Sequence, residues 1–508
     1  MLPRAAADGP RPSTPPSRRP GPFVEPLRLL ASGLATESRL VVSAAVFSAV
    51  LLWNLHLQVN QDAWLALAAG RAVFEHGLPH HDWLAVWTAG RSWIDQQWLG
   101  QLSLYAVESL GGLRLLAGVH VALITGAFAV AVTAGRRLGG SSRSVLYLIP
   151  LVFPLLVVSM WQVRTQSLAF PLFVAVVVLL ALDARAPSSR VYLVLPLLCL
   201  WANIHGSVVL GVALTAVRGL DLVAGCPRWR GAALAAAAPL CLLASPYGFQ
   251  LVGYYRSTLL NPAFHALVNE WQPTKLGLTT ASFFILLVAA GWLLGRSRRA
   301  LTRFEWLALT VTGVAGLDAI RNVGYFALVA LMLLPSALDR AWPAPRSAPG
   351  RKHDVVISVA ALAVVGVMAL NVLGHPASSL AGPDDPAAAA AVVRAVERAP
   401  RTQVFADVRY ADWLIWEQPS LAGRVAYDVR FELLSRRQLA EIYAFNDPLS
   451  RSWRIASAGY AVLVLDRNDD ARAVRALARD PGVRVLFSGP ELVVFERARA
   501  PLAVTERG

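Results

Sequence analysis

The sequence predicts an α-helical polytopic membrane protein with about eleven transmembrane helices and a small C-terminal soluble α/β domain. Three observations lead to this fold class. Only 16% of the 508 residues are charged and the mean hydropathy is +0.50, whereas soluble globular chains carry roughly 25% charged residues. Apolar runs recur as far as residue 373, separated by short loops that are rich in arginine. The residues after 386 instead alternate between strand-like and helix-like patterns.

The segment 1–38 is rich in Pro, Arg and Ala and begins without an apolar run, so we expect a disordered cytoplasmic N-terminal tail. The transmembrane domain is expected over 39–375. A helix needs about 20 apolar residues to cross the hydrocarbon core of a bilayer. Eleven runs approach or reach that length, namely 40–57, 113–134, 145–161, 168–184, 191–204, 207–224, 231–249, 278–295, 304–320, 323–339 and 354–373.

Arginines are concentrated in alternate loops between these runs. Examples are Arg136, Arg185, Arg228, Arg298 and Arg351. This positive-inside pattern places those loops and the N-terminus in the cytoplasm. The loops 58–112 and 250–277, and everything after about 375, are then extracytoplasmic. The net charge of +15 follows from these loops, so the sequence gives no reason to expect a nucleic-acid partner.

The C-terminal part is predicted to follow a linker at 376–386 that is rich in Pro, Gly and Ser. An amphipathic helix is expected at 387–399, and short strands at 404–406, 424–428, 461–466, 483–487 and 492–496. We therefore expect a soluble extracytoplasmic α/β domain over 387–508. It holds no Gly-rich phosphate loop, which argues against nucleotide binding. The three cysteines of the whole chain show no metal-site spacing.

The first outer loop, 58–112, combines acids, histidines and tryptophans and is long for a connection. Asp62 has two interpretations: a general base or cation ligand at the membrane surface, or a solvated acid that flanks or caps a helix starting at Ala63. Asp82 and Asp95 are weaker candidates for the same roles. His80 and His81 with Asp82 could bind a metal, but adjacent histidines point in different directions, which favours a solvated turn.

A second group of polar residues is predicted near the outer helix ends, against the positive-inside trend. It contains Arg164, His205 and Arg321. Ionisable groups at membrane depth usually face a cavity or pair with one another. They could bind an anionic group such as a lipid phosphate, or they could pair with Glu270 and Asp318 and hold helices together. The sequence supports both interpretations equally.

Aromatic residues accompany both groups. Trp64, Trp93, Trp98 and Trp271 could line a path for a sugar or a lipid, because tryptophan stacks on sugar rings and favours the headgroup region. In the C-terminal domain, a set of polar and aromatic side chains could recognise an acceptor or dock the domain onto the first loop, and docking is favoured: Tyr410, Asp412, Trp413, Trp416, Asp428 and Arg430.

Several of these segments resemble a bacterial group of polytopic membrane proteins. In the first loop the resemblance rests on Asp62-Ala63-Trp64, His76-Gly77-Leu78-Pro79 and Trp93-Ile94-Asp95-Gln96-Gln97-Trp98-Leu99. Further matches are Arg164-Thr165-Gln166, Trp201 to Gly206, Glu270-Trp271, Arg321-Asn322, and 412–416 and 426–430 near the C-terminus. This group is similar to the GT-C superfamily of integral membrane glycosyltransferases.

The resemblance implies a GT-C-like fold, a polyprenyl-phosphate-linked sugar as donor, and a catalytic aspartate in the first outer loop. Asp62 matches that aspartate, with Asp95 as a second candidate catalytic acid. Arg164, His205 or Arg321 would hold the donor phosphate. The acceptor would be an extracytoplasmic glycan, lipid or protein of the cell envelope. The surrounding membrane lipid would be a further partner.

A divalent cation would take part if Asp95 or Glu270 joined Asp62, although the sequence does not demand one. The competing hypothesis is a non-catalytic membrane scaffold, flippase or transporter. The two classes differ in one structural expectation. An enzyme of this kind needs Asp62 in a cavity that is open to lipid and shared with Arg164 or Arg321, whereas a scaffold does not.

Overall fold

The computed structural model describes residues 37–54, 59–224, 228–343, 352–381, 384–446 and 453–498. The predicted N-terminal tail at 1–38 lies outside these residues except for its last two positions. The last ten residues of the predicted C-terminal domain also lie outside them.

The described residues up to 374 form a helical bundle, in which a long irregular connection at 77–97 separates two of the helices. Its α-helices, in chain order, are α1 (Ser38–Trp53), α2 (Gln61–His76), α3 (Trp98–Arg137), α4 (Ser142–Met160), α5 (Gln166–Arg185), α6 (Val194–Trp201), α7 (Val208–Val223), α8 (Arg228–Leu240), α9 (Gln250–Leu259), α10 (Pro262–Leu267), α11 (Ala281–Ser297), α12 (Arg303–Asp318), α13 (Val323–Ala341) and α14 (Lys352–Gly374). Among the described residues, each of the eleven apolar runs overlaps one of these helices. The helices α2, α9 and α10 lie outside the predicted runs.

Six helical segments among the described residues are long and apolar enough to cross a membrane. They are Trp98–Arg137, Ser142–Met160, Gln166–Arg185, Ala281–Ala300, Ile320–Ala341 and His353–Gly374. The predicted multi-pass membrane protein is supported at this level, while the count of eleven spans stays a prediction. The difference arises where apolar runs fold into shorter helices, as at Ser38–Trp53 and Ser189–Trp201.

The predicted first loop is itself helical. It contains α2 and the first part of α3, and α3 bends at Gly112, whose φ is +66°. This backbone conformation strongly favours glycine. The two helices are packed closely, because a Cβ atom on Gly70 would lie 2.3 Å from the carbonyl oxygen of Gln101. This close packing fixes the position of α2 and of the acidic residue in its first turn.

The C-terminal part contains a four-stranded sheet with helices around it. The strands are β1 (Val404–Ala406), β2 (Val462–Asp466), β3 (Val483–Ser488) and β4 (Leu492–Arg497), in the order β1-β2-β4-β3. β1 pairs with β2 in parallel, and the other two pairs are antiparallel. The helices are α15 (Pro386–Arg398), α16 (Val408–Glu417), α17 (Arg436–Asn446), α18 (Trp453–Ala456) and α19 (Ala471–Leu477).

The strand predicted at 424–428 is not a regular strand. Only Val425 pairs there, forming single bridges with Val404 on one side and Ala85 on the other. The segment therefore joins the sheet to the first loop, although Ala85 and Val425 are 340 positions apart in the sequence. A local apolar pattern cannot distinguish such a single bridge from a strand.

The first loop and the C-terminal part share one hydrophobic core, which includes Trp64, Trp93 and Trp413. Polar contacts join the same two parts. A guanidinium N–H of Arg71 donates to the Ile415 carbonyl at 2.9 Å, and the guanidinium lies 4.6 Å from the centre of the Trp416 ring. These contacts agree with the docking role favoured for the C-terminal side chains.

Candidate active site

Asp62, the acid that the sequence predicts at the membrane surface, lies in the first turn of α2. It does not cap the helix, because α2 begins at Gln61 and Asn60 occupies the N-cap position. Negative charge is stabilised in the first turn of a helix by the helix dipole. The carboxylate is 39% exposed and lies 2.7 Å from the guanidinium of Arg164. Asp62 is therefore an ion-paired acid with an accessible face.

Arg164 is positioned by the short connection between α4 and α5. The α5 helix starts two residues later, and the Ser167 backbone N–H donates to the Arg164 carbonyl at 2.8 Å. Two guanidinium nitrogens of Arg164 each donate to Glu270 at 2.9 Å, while one of them also faces Asp62. The guanidinium thus bridges two carboxylates. The ion pair between Arg164 and Glu270 is the one that the second interpretation of the sequence predicted.

The two carboxyl groups that share Arg164 differ in basicity. Burial raises the pKa of Asp62 above its usual value, although the charge of Arg164 opposes the rise. Burial acts in the same direction on Glu270, but Arg164 and Arg321 outweigh it and the pKa of Glu270 is lowered. Glu270 consequently remains the ionised partner of Arg164, and Asp62 is the better proton acceptor of the two.

Arg321 follows α12 in a short turn, Ile320–Asn322. Its guanidinium carbon lies 4.6 Å from the centre of the Trp271 ring, a cation–π contact. Among the described residues no carboxylate lies within ion-pair distance of Arg321, and the exposed Asp318 forms no such pair either. The predicted pairing of this arginine with Asp318 is therefore not found. Arg321 retains hydrogen-bond donors for an anion.

His205 lies in the turn between α6 and α7 and is buried, with 6% of its surface exposed. Its Nδ1 accepts a hydrogen bond from the Ser207 backbone N–H at 3.1 Å, which leaves the ring proton on Nε2. Burial, with Arg321 and Arg164 nearby, lowers the pKa of His205 well below its usual value. The imidazole is neutral at pH 7, so it can offer an N–H to an anion but no charge.

These residues line one cavity of about 510 Å³. The cavity brings together six of the predicted site residues: Asp62, Arg164, His205, Glu270, Trp271 and Arg321. Its wall also contains residues that sequence analysis did not single out, among them Tyr254 of α9, and Phe431, Glu432 and Tyr443 of the C-terminal part. Their types are common on protein surfaces, and no motif marks them in the sequence.

Asp95, Trp64 and Trp98 do not line this cavity, so their proposed site roles stay predictions. Asp95 is 3% exposed, and burial raises its pKa to about 7. Trp64 is buried, and its indole N–H donates to the Asp384 carboxyl group at 2.7 Å. The Trp98 indole N–H donates to the Asn203 side-chain oxygen at 2.9 Å. The two indole contacts join the first loop to Asp384 and Asn203.

Trp93 also has a structural position, beneath the guanidinium of Arg430 at 4.2 Å from the ring centre. That guanidinium forms ion pairs with Asp82, at 2.7 Å, and with Asp428. The buried Asp82 therefore does not belong to a solvated turn, as its neighbours His80 and His81 suggested. It ties the first loop to the C-terminal part.

A divalent cation was predicted only if Asp95 or Glu270 joined Asp62. Among the described residues, no three His, Cys, Asp or Glu side chains are grouped to hold a metal ion. The space between Asp62 and Glu270 is filled by the guanidinium of Arg164. Arg164 thus supplies the positive charge that the two carboxylates require in this arrangement.

No protein-family model matches the chain, and no curated protein sequence matches it. Among solved structures, the chain is similar to ArnT from Cupriavidus metallidurans bound to undecaprenyl phosphate. The TM-score is 0.50 at 15% identity, over 90% of this chain and 97% of that one. This similarity, at so low an identity, shows the fold alone, and it confirms the predicted GT-C-like fold.

Two further solved structures have lower scores. Apo ArnT from the same organism has a TM-score of 0.49 at 14% identity, over 89% of this chain and 96% of that one. The oligosaccharyltransferase of Archaeoglobus fulgidus, tethered with an acceptor peptide, has a TM-score of 0.48 at 13% identity, over 84% of this chain and 69% of that one.

Proposed function

We propose that this protein transfers a sugar from a polyprenyl-phosphate donor to an extracytoplasmic acceptor, with inversion at the anomeric carbon. An acceptor hydroxyl or amine attacks the anomeric carbon and forms the new glycosidic bond. The bond between that carbon and the phosphate oxygen breaks, and its electron pair leaves with the polyprenyl phosphate. The proton of the attacking group passes to the Asp62 carboxylate.

One observation carries this proposal: Asp62 and Arg321 line the same cavity, and only Arg321 of its two arginines is without a carboxylate partner among the described residues. A proton acceptor and a free cation are the two groups that the reaction needs, at opposite sides of the reacting carbon. The cation stabilises the charge that develops on the leaving phosphate. Arg164, which is already paired with two acids, would orient Asp62 instead.

The stacking of Arg321 on Trp271 supports the same assignment. A guanidinium fixed over an aromatic ring keeps its N–H groups in one plane and pays less entropy when it binds an anion. The neutral His205 would add a single hydrogen bond to the phosphate. Trp271, which also lines the cavity, would contact the sugar ring.

Apolar residues around the cavity are suited to a polyprenyl chain. α9 contributes Tyr254 and Leu259 to the cavity wall. Large apolar side chains are exposed at both ends of α9, at Phe249 and Leu260, and at Leu278 shortly before α11. Exposed apolar groups next to a polar cavity favour contact with lipid. This arrangement is consistent with a donor that enters from the membrane.

The rival scaffold hypothesis predicts Asp62 in bulk solvent, away from any groove. The position of Asp62 within the cavity favours the enzyme. The likeness of the fold to ArnT, whose solved structure holds undecaprenyl phosphate, is further support. A flippase remains separable by experiment, because it would bind the same lipid without breaking the bond between the sugar and the phosphate.

A reconstituted assay tests the proposal. Purified protein in liposomes is given a panel of polyprenyl-phosphate sugars, labelled in the sugar, together with hydroxyl- and amino-bearing acceptors. The proposal expects labelled product and free polyprenyl phosphate in equal amounts for at least one donor. If every donor stays intact while the labelled lipid changes leaflet, the protein is a flippase and the proposal is wrong.

A further inference from the structure

The C-terminal part supplies a third carboxylate to the cavity. Glu432 lies in the short helical turn Phe431–Leu433, and Val429, Phe431 and Tyr443 line the wall beside it. Asp62 and Glu270, which share the cation Arg164, are contributed by the bundle and its loops. Two independent parts of the chain therefore meet around one space.

The turn that carries Glu432 is held firmly. The neighbouring Arg430 is 3% exposed and forms ion pairs with Asp82 of the first loop and with Asp428. Its guanidinium also lies over Trp93. A buried ion network with an aromatic contact restricts the backbone on one side of Glu432. Glu432 thus lines the cavity from a segment that this buried network anchors on one side.

Glu432 differs from the other two cavity acids in its surroundings. Among the described residues no Lys, Arg or His lies within ion-pair distance of its carboxylate. The charged or titratable groups that influence it are Arg430, Asp428 and Asp62, and Glu432 in turn influences Tyr254 and Asp95. Arg430 is already balanced by two acids. The wall formed by the C-terminal part consequently contains one carboxylate that has no ion-pair partner among the described residues.

We propose that Glu432 binds the acceptor, by accepting a hydrogen bond from a hydroxyl or ammonium group next to the one that reacts. This inference rests on the proposed function and names the acceptor class: neutral or cationic groups with hydrogen-bond donors. An acceptor that presents a phosphate or carboxylate to this wall is repelled, because like charges at short distance are unfavourable in a site of low dielectric. The donor phosphate is assigned to Arg321, which lines the same cavity.

The protonation of Glu432 gives this role a pH signature. Burial raises the pKa of Glu432 to about 7, against the opposing effects of a backbone hydrogen bond and of Arg430. The carboxylate form, which accepts two or more hydrogen bonds, is therefore the major form above that pH. Acceptor affinity is expected to rise as the pH increases through 7, while donor affinity is governed by other groups.

The test compares wild type, Glu432→Gln, Glu432→Asp and the control Glu441→Gln in the reconstituted transfer assay. Glu441 lies on α17, outside the cavity, and pairs with the exposed Arg437. Acceptors are a neutral glycolipid, an aminated glycolipid and their phosphorylated counterparts. Glu432→Gln is expected to raise the KM for the aminated acceptor about 10-fold or more, with the donor KM unchanged. It should also remove the pH dependence of acceptor KM between pH 6 and 8.

Glu432→Asp should restore part of the affinity and the pH dependence, and Glu441→Gln should match wild type. The Gln variant should also discriminate less against the phosphorylated acceptors. An acceptor KM and pH profile in Glu432→Gln equal to those of wild type would overturn this inference alone. Absence of transfer by the wild type with every donor would overturn the proposed function, and this inference with it.

Discussion

The guanidinium of Arg164 lies 2.7 Å from the carboxylate of Asp62 and holds Glu270 at 2.9 Å on its other side. This bridge joins the first turn of α2, the α4–α5 connection and the loop before α11. It keeps the Asp62 carboxylate accessible to the cavity while limiting its rotation. A general base must be held within hydrogen-bond reach of the proton that it accepts, and Arg164 is the residue placed to do so.

Replacement of Arg164 separates its orienting role from simple charge. Arg164→Lys keeps one positive charge but cannot hydrogen-bond two carboxylates in one plane. We expect at least a 10-fold loss of kcat with little change in thermal unfolding. Arg164→Ala leaves two acids without a partner and should cost about 1–3 kcal/mol of stability, less than a fully buried pair because both acids are partly exposed. Wild-type kcat in Arg164→Lys would remove the orienting role.

Arg321 is assigned to the donor phosphate. A charge-assisted hydrogen bond contributes about 1.5–3 kcal/mol, so Arg321→Ala should raise the Kd for a polyprenyl phosphate about 10- to 100-fold. Titration calorimetry in detergent measures this change. Arg190→Ala is the matched control, since Arg190 is exposed in the α5–α6 connection and does not line the cavity. Equal losses in both variants would mean that the lipid binds to surface charge in general.

Arg430 is predicted to hold the C-terminal part against the first loop. Arg430→Met removes the partner of two buried acids, a change that costs about 3–5 kcal/mol in comparable networks. We expect faster hydrogen exchange in both 80–95 and 425–433. Arg437→Met on α17 is the control, because Arg437 is 72% exposed. Unchanged exchange in the first loop of Arg430→Met would show that other contacts dock the two parts.

The contact between Trp64 and Asp384 predicts a dependence of stability on pH. Burial raises the pKa of Asp384 to about 8, although the Trp64 hydrogen bond opposes the rise. The folded protein thus keeps a proton that the unfolded chain releases near pH 4. This group's contribution to stability is complete below pH 4 and is lost as the pH rises toward 8.

Asp384→Asn cannot ionise and still offers an oxygen to the Trp64 indole. The variant should therefore gain stability relative to wild type as the pH increases from 5 to 8, by up to about 1.4 kcal/mol per pH unit. Chemical unfolding across this pH range gives the difference. Parallel stability curves for the two proteins would show that Asp384 is ionised in the folded state.

The sequence predicted the class of fold and several site residues for physical reasons that are local. Apolar runs of membrane length identify helices, and an arginine at the wrong end of such a run, as at Arg164 or Arg321, indicates a partner or a cavity. These two positions do line the cavity. The ion pairs were harder to predict. Arg164 pairs with Glu270, whereas Asp318 forms no ion pair among the described residues.

The roles of Trp64, Trp98 and Asp95 could not be predicted, because they depend on contacts across the chain. The partner of Trp64 is Asp384, 320 residues away. Glu432 enters the cavity only because the C-terminal part docks on the first loop. Single bridges such as that between Ala85 and Val425 leave no periodic signal in the sequence, since one residue on each side is enough to form them.

If Asp62 accepts the proton of the acceptor, replacing it with Asn should stop transfer. The substitution preserves size and removes the base. The matched control is Glu75→Gln, an exposed acid near the other end of α2. Transfer from a labelled polyprenyl-phosphate sugar is measured in liposomes, with binding of a polyprenyl phosphate as the check on folding. We expect a loss of at least about 100-fold in kcat for Asp62→Asn, intact binding in both variants and normal transfer in Glu75→Gln. Wild-type transfer by Asp62→Asn would contradict the assignment of Asp62 as the base.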